Sequence, residues 1–92
     1  MSQASHKHHQ TRAIVNRLSR IEGHVRSIKA MVEEDRDCAD ILVQLAAVRS
    51  AINRVGRVVL EDHVESCLLE AAREGEADEM WAELKDAFRV FL

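Results

Sequence analysis

The chain of 92 residues contains no proline and no tyrosine, and only three glycines. Residues that interrupt helices or form tight turns are therefore scarce. Because almost nothing in the sequence would separate one short strand from the next, we expect an all-α fold with few, long helices.

Cysteine is also rare, with two in the chain, and no apolar run approaches the length of about eighteen residues that spans a membrane. No secretory leader is visible at the N-terminus. We therefore expect a cytoplasmic protein without membrane association. Its cysteines should serve thiol chemistry or metal binding rather than a disulfide framework.

The net charge of −3 averages segments of opposite sign. Residues 1–36 carry seven Lys/Arg against four Asp/Glu, a net of +3, and residues 37–60 carry three against two, a net of +1. Residues 61–92 carry three against ten, a net of −7. A chain of this kind can bind nucleic acid through its basic part and repel it with the acidic part.

A coiled-coil-like apolar seam follows Thr11, with spacings that alternate between three and four residues. Its members are Ile14, Leu18, Ile21, Val25, Ile28 and Val32. The seam predicts a first helix that ends near the charged cluster at residues 33–37. Residues 1–10 are polar, include His6, His8 and His9, and should form a flexible arm. Residues 11–92 should form a single domain.

Helical spacing resumes at about Cys38 and continues to about Ala72, which predicts a second helix about 50 Å long. Small residues occupy its centre: Ala46, Ala47, Ser50 and Ala51. They either permit close approach of another helix or simply favour the helical backbone. Gly75 then predicts a helix stop, followed by a short third helix from about Asp78 to Phe91.

A metal site is indicated by three residues. His63 and Cys67 lie one helical turn apart, so an imidazole and a thiol can share one ion, although a buried cysteine beside a surface histidine has the same spacing. Cys38 lies 25 residues before His63, about 37 Å along a continuous helix. Two second helices packed antiparallel about a two-fold axis would instead bring Cys38 of one protomer to the other protomer's pair.

Two thiolates and one imidazole suit Cu(I) in a three-coordinate site. A fourth ligand would suit Ni(II) or Zn(II), and His6 on the N-terminal arm is the candidate. The sequence shows no nucleophile with an adjacent base, no glycine-rich phosphate loop and no carboxylate pair in a defined cleft. We therefore expect neither an enzyme nor an organic substrate.

Three segments carry a family resemblance. They read NRL-x-x-IEGHV-x-x-I at 16–28, C-x-DILVQLAAV at 38–48 and LEDH-x-x-x-C at 60–67. Together they resemble the CsoR/RcnR family of metal-sensing transcriptional repressors over essentially all of residues 11–92. The Cys-x24-His-x3-Cys spacing is most similar to the copper-sensing branch.

The resemblance implies a three-helix protomer, an antiparallel four-helix-bundle dimer and a dimer of dimers. The metal-free homotetramer would bind double-stranded operator DNA, and Cu(I) would release it, which derepresses copper efflux or homeostasis genes. Cys38, His63 and Cys67 would be the ligands, and Glu83 would hydrogen-bond the metal-bound histidine. Nickel sensors of the family add an N-terminal histidine, which His6 matches, so a Ni(II)- or Zn(II)-responsive repressor remains an alternative.

Arg17, Arg20 and His24 share one flank of the first helix, an arrangement that is also typical of an ordinary solvated face. The resemblance implies that Arg17 and Arg54 contact DNA. Lower-ranked neighbours of that surface are Arg20, Arg49 and Arg57. Binding through phosphate contacts would weaken steeply with salt. A helical interaction module with incidental thiols and no DNA binding is the alternative of another class.

Overall fold

The computed structural model describes residues 10–64 and 69–92. Their secondary structure is helical, with four helices: α1 Thr11–Glu33, α2 Cys38–His63, α3 Leu69–Arg73 and α4 Ala77–Phe91. No strand occurs in these two ranges. The all-α prediction is therefore confirmed. Among the described helices, none combines the length and the apolar character that a membrane crossing requires.

The chain divides into two compact units. The first, called the N-terminal unit below, comprises Thr11–Arg57, and the second, the C-terminal unit, includes Val58–Leu92. The division falls within the residues expected to act as one domain, and that expectation stays a prediction. The arm at residues 1–10 lies outside the described residues except for Gln10.

The N-terminal unit is a helical hairpin in which four residues join α1 to α2. Asp35 has a left-handed backbone with φ of 55°. The N–H of Arg36 donates to the carbonyl of Met31 at 2.9 Å, and the N–H of Asp35 donates to Val32 at 3.1 Å. These are the paired bonds of a Schellman motif, which satisfies the last carbonyls of a helix. The carbonyl of Asp37 then accepts from Ile41 at 3.1 Å, so α2 begins here.

Only a few apolar side chains of this unit are buried: Ile28 on α1, and Val48 and Val55 on α2. The apolar seam predicted for α1 is therefore only partly covered within one chain. Large apolar side chains that remain exposed in the unit are Val15, Leu18, Val25, Val32, Leu42, Val43, Leu45 and Ile52. The first helix itself is confirmed, because α1 begins at Thr11 and ends at Glu33, beside the charged cluster.

The C-terminal unit contains α3 and α4, joined by a second Schellman motif. Gly75 has φ of 78°, and the N–H of Glu76 donates to the carbonyl of Ala71 at 2.7 Å. Ala71 is buried. The predicted glycine stop is thus confirmed, as is the last helix, since α4 spans Ala77–Phe91. A largely apolar groove of about 490 Å³ in this unit is lined by Leu60, Val64, Trp81, Leu84, Lys85, Phe88, Arg89 and Leu92.

The second helix begins at Cys38, as the spacing predicts, and α2 runs to His63. The spacing predicts one helix from about Cys38 to Ala72, but residues 65–68 lie outside the described residues, and helix is described again from Leu69. Continuity of the second helix across this gap therefore stays a prediction. Val58, Val59 and Val64 are β-branched, and such side chains lose rotamer freedom in a helix. Val64 itself lies in a wider, π-type turn.

Candidate metal centre and nucleic-acid interface

A positively charged pocket lies between α1 and α2 of the N-terminal unit. It has a volume of about 220 Å³ and is lined by Arg17, Arg20, Ile21, His24, Ala51 and Arg54. Arg17, Arg20 and His24 share one face of α1 because they are three, four or seven positions apart. The short side chain of Ala51 leaves space opposite them. The pocket lining therefore combines three arginines with the apolar side chains of Ile21 and Ala51.

A hydrogen bond between the helices adjoins this pocket. Nε2 of His24 lies 2.7 Å from Oε1 of Gln44, and the ring N–H donates to the amide oxygen. Both side chains are half-buried. The bond holds the imidazole in the pocket wall and links α2 to α1. Sequence reasoning missed the role of Gln44, although a single amide within the apolar run Ile41–Leu45 was a signal.

The structure brings together three of the five arginines predicted to contact DNA, namely Arg17, Arg20 and Arg54. Arg49 and Arg57 are exposed on α2 and are not among the pocket-lining residues. The predicted flank of α1 is thus part of a defined pocket rather than a simple solvated face. Arg54 joins it from α2.

The described metal-ligand candidates lie at the two ends of α2. Cys38 is the first residue of that helix, with an exposed thiol. His63 is the last residue of the same 26-residue helix and is half-buried. Cys67 and His6 lie outside the described residues. Glu83, predicted to orient the metal-bound histidine, is exposed on α4.

Within residues 10–64 and 69–92, no three His, Cys, Asp or Glu side chains form a group that could hold a metal ion. The donor types at the ends of α2 nevertheless fit a soft metal, because thiolate sulfur selects Cu(I) and imidazole suits copper, nickel and zinc. Directly before His63, Asp62 is 1% exposed and is the buried charged residue of the described chain. Its burial was not predicted from the sequence, in which it occurs within an acidic segment.

The described helices combine a cluster of arginines with thiol and imidazole groups, and these residue types are the ones that a metal-responsive DNA-binding protein requires. Residues 10–90 match the family model described as metal-sensitive transcriptional repressor. The chain therefore belongs to this family, and the resemblance stated from the sequence is confirmed. Members of the family are transcriptional repressors rather than enzymes.

Named relatives include sensors of two metals. The copper-sensing transcriptional repressor CsoR of Bacillus subtilis (strain 168) is 49% identical over 78 residues, which cover 85% of this chain and 77% of that protein. The crystal structure of the copper-sensing repressor CsoR with Cu(I) from Geobacillus thermodenitrificans NG80-2 gives a TM-score of 0.85 at 38% identity, covering 99% of this chain and 92% of that one. The nickel-responsive transcriptional regulator InrS gives a TM-score of 0.77 at 49% identity, covering 95% and 98%.

Proposed function

We propose that this chain is a Cu(I)-responsive transcriptional repressor. Its metal-free form binds operator DNA, and Cu(I) binding releases it, so that copper efflux or homeostasis genes are expressed. The observation that carries the DNA-binding part is the pocket that gathers Arg17, Arg20 and Arg54 in a chain of the repressor family. A repressor acts where the chromosome is, so we place the protein in the cytoplasm.

DNA binding by this surface would rest on the phosphate backbone. Guanidinium groups neutralise phosphates and release condensed counterions, which makes affinity fall steeply with salt concentration. Exposed Arg49 and Arg57 lie on the same helix as Arg54 and extend the basic surface along α2. Operator choice would then depend on groove shape as well as on any contact to base edges.

Assembly into oligomers is supported by the apolar side chains that one protomer leaves exposed. Val43 is 65% exposed and Leu42 is 59% exposed, both near the start of α2. Soluble monomers seldom expose so many large aliphatic groups together, because burying each fully contributes about 1.5–3 kcal/mol. We propose an antiparallel four-helix-bundle dimer that pairs again into a dimer of dimers.

The antiparallel dimer would also complete the metal site. Cys38 of one protomer would join the partner's His63 and the partner's Cys67, and these donors match the preference of Cu(I) for thiolate and imidazole. Glu83 would hydrogen-bond the other ring nitrogen of the histidine and so fix its orientation. Release from DNA requires that the metal bind the DNA-free conformation more tightly than the DNA-bound one.

A Ni(II)-responsive repressor is the second candidate, and Zn(II) is a further possible effector. The observation in favour of nickel is the likeness to InrS at 49% identity. His6 would then supply the fourth ligand from the arm at residues 1–10, while residues 11–92 provide the metal-sensing and DNA-binding domain. The copper-sensing relatives favour the Cu(I) proposal.

The test is release of the full chain from a DNA fragment of its own promoter, followed by fluorescence anisotropy. The metal-free protein should bind, Cu(I) should release it, and His63→Ala should bind DNA but fail to respond. His8→Ala removes an imidazole outside the proposed ligand set and should behave like the wild type. Release by Ni(II) alone, abolished by His6→Ala, would establish the nickel alternative. A protein with no operator affinity would leave only the helical interaction module.

A further inference from the structure

We propose that the pocket of Arg17, Arg20, His24 and Arg54 is a site for one tetrahedral oxyanion, and that it binds inorganic phosphate when no DNA is present. In the DNA complex the same site would hold one backbone phosphate, and this part of the inference rests on the proposed function. The two sources of phosphate would then compete for one pocket. Free phosphate would therefore weaken operator binding beyond the general effect of ionic strength.

The charge in this pocket lacks compensation from carboxylates. The ion pairs between the side chains of the described residues are Arg73–Glu70 at 4.0 Å and Arg89–Asp86 at 3.6 Å, and both lie in the C-terminal unit. Within the part of the chain that the structure describes, the guanidinium groups of the pocket thus have no acidic partner. Because like charges repel when held together, an anion between them lowers the electrostatic energy.

The lining favours a tetrahedral anion over a planar carboxylate. Each guanidinium group presents a rigid fork of N–H donors, and the three groups arrive from two helices. A phosphate has four oxygen atoms, which can accept hydrogen bonds from all three guanidinium groups at once. A carboxylate has only two oxygen atoms, and both lie in one plane. One water molecule occupies about 30 Å³ in the liquid. The pocket, at about 220 Å³, is several times larger and accommodates an ion of five heavy atoms.

The walls of the pocket are held in place before any ligand binds. The 2.7 Å hydrogen bond from His24 to Gln44 links α1 to α2 at the edge of the site. Ile21 and Ala51 are half-buried and supply the apolar part of the lining. Apolar lining keeps water away from part of the charged surface, which strengthens its attraction for an anion. Gln44 is accordingly a positioning residue, since it acts through His24.

Phosphate binding by the full chain without DNA tests the proposal directly. Sodium phosphate is titrated calorimetrically at an ionic strength held constant with sodium chloride. We expect saturable binding of one phosphate per protomer, with at least a tenfold loss of affinity in Arg54→Gln. Arg57→Gln is the matched control, because it removes an exposed guanidinium from the same helix but outside the pocket. Arg54→Lys keeps the charge without the fork and should also bind more weakly than the wild type. Circular dichroism confirms that each variant is folded.

The outcomes separate this inference from the proposed function. If the wild type shows no saturable phosphate binding yet retains its operator, the anion site is wrong and the repressor proposal is unaffected. Equal losses in Arg54→Gln and Arg57→Gln would also overturn the site, because they would indicate diffuse charge attraction. If phosphate binding depends on Arg54 but no operator binding exists, the site is supported and the proposed function fails.

Discussion

The two units of the chain differ in charge and in what they offer a ligand. The N-terminal unit carries nine Lys/Arg against six Asp/Glu, a net of +3, whereas residues 58–92 carry three against ten, a net of −7. The first unit contains a pocket lined by arginines, and the second contains a largely apolar groove. Because a surface of negative potential repels DNA, the proposed phosphate contacts lie in the first unit alone.

Both units end a helix in the same way but with different residues. A Schellman motif closes α1 with Asp35 in the left-handed conformation, and another closes α3 with Gly75. Glycine adopts this conformation without a steric penalty, whereas a residue with a Cβ incurs a cost that Asp partly offsets. The same backbone geometry is therefore relaxed in the acidic unit and mildly strained in the basic one.

The largest effect should come from Cys38→Ser, which removes the proposed sulfur ligand of the basic unit. Loss of an orienting residue outside the ligand set typically costs 10–100-fold in metal affinity, so loss of a ligand should cost more than about 100-fold. Competition titration with a Cu(I) chelator measures this loss. DNA affinity of the metal-free protein should stay within about twofold, as a DNA titration would show. A variant that still leaves the operator on addition of Cu(I) would contradict the assignment.

A smaller effect is expected for Arg54→Ala, which tests whether the basic unit alone holds DNA. Each lost phosphate contact lowers the salt slope of log affinity by about one and weakens binding on all sequences alike. Anisotropy titrations at several salt concentrations give both quantities. Arg73→Ala is the matched control, since Arg73 is exposed in the acidic unit and pairs with Glu70. A comparable change in the control would break the division of roles between the units.

Gly75→Ala should destabilise the acidic unit by about 1 kcal/mol, because alanine at φ of 78° brings its Cβ close to the following carbonyl oxygen. No atom outside the local backbone lies within 4 Å of the added Cβ, so the cost is conformational rather than a clash. Urea denaturation followed by helix content measures the difference. An unchanged midpoint would show that α3 is not closed by this motif in solution.

The smallest effect, with the opposite sign, is expected for Asp35→Gly. Glycine relieves the left-handed strain at φ of 55° but adds freedom to the unfolded chain, so the net stabilisation should be about 0.5 kcal/mol. The same denaturation experiment applies, with Asp37→Gly as a control, because Asp37 lies outside the left-handed position. Loss of stability in Asp35→Gly would mean that the carboxylate itself contributes to the turn.

The sequence predicted those helix ends that are determined by residues at the end itself. Thr11, directly before the apolar seam, begins α1, and Gly75 supplies the left-handed residue that stops α3. The π-type turn at Val64 was not predicted, because apolar spacing continues through this residue without a proline or glycine. Periodicity records apolar spacing and does not register the rotamer preferences of β-branched residues.

The two candidate sites differ in how much of each could be predicted from the sequence. Arg17, Arg20 and His24 could be grouped in advance, since helical geometry alone places them on one flank. The hydrogen-bond partner of His24 could not be predicted, because its contact with Gln44 depends on the register between two helices. For Cys38 and His63, helix length alone excludes a site within one α2, so their union stays a prediction about two chains.

The partly covered seam of α1 has a consequence for handling the protein. Along that seam Ile28 is buried, while Leu18, Val25 and Val32 remain exposed in a single chain. When folding draws part of its stability from a partner, the folded fraction follows mass action. The melting temperature should therefore rise with protein concentration. Dilution would then work against the native state, and the lifetime of the proposed oligomer would decide how long each molecule survives proteolysis.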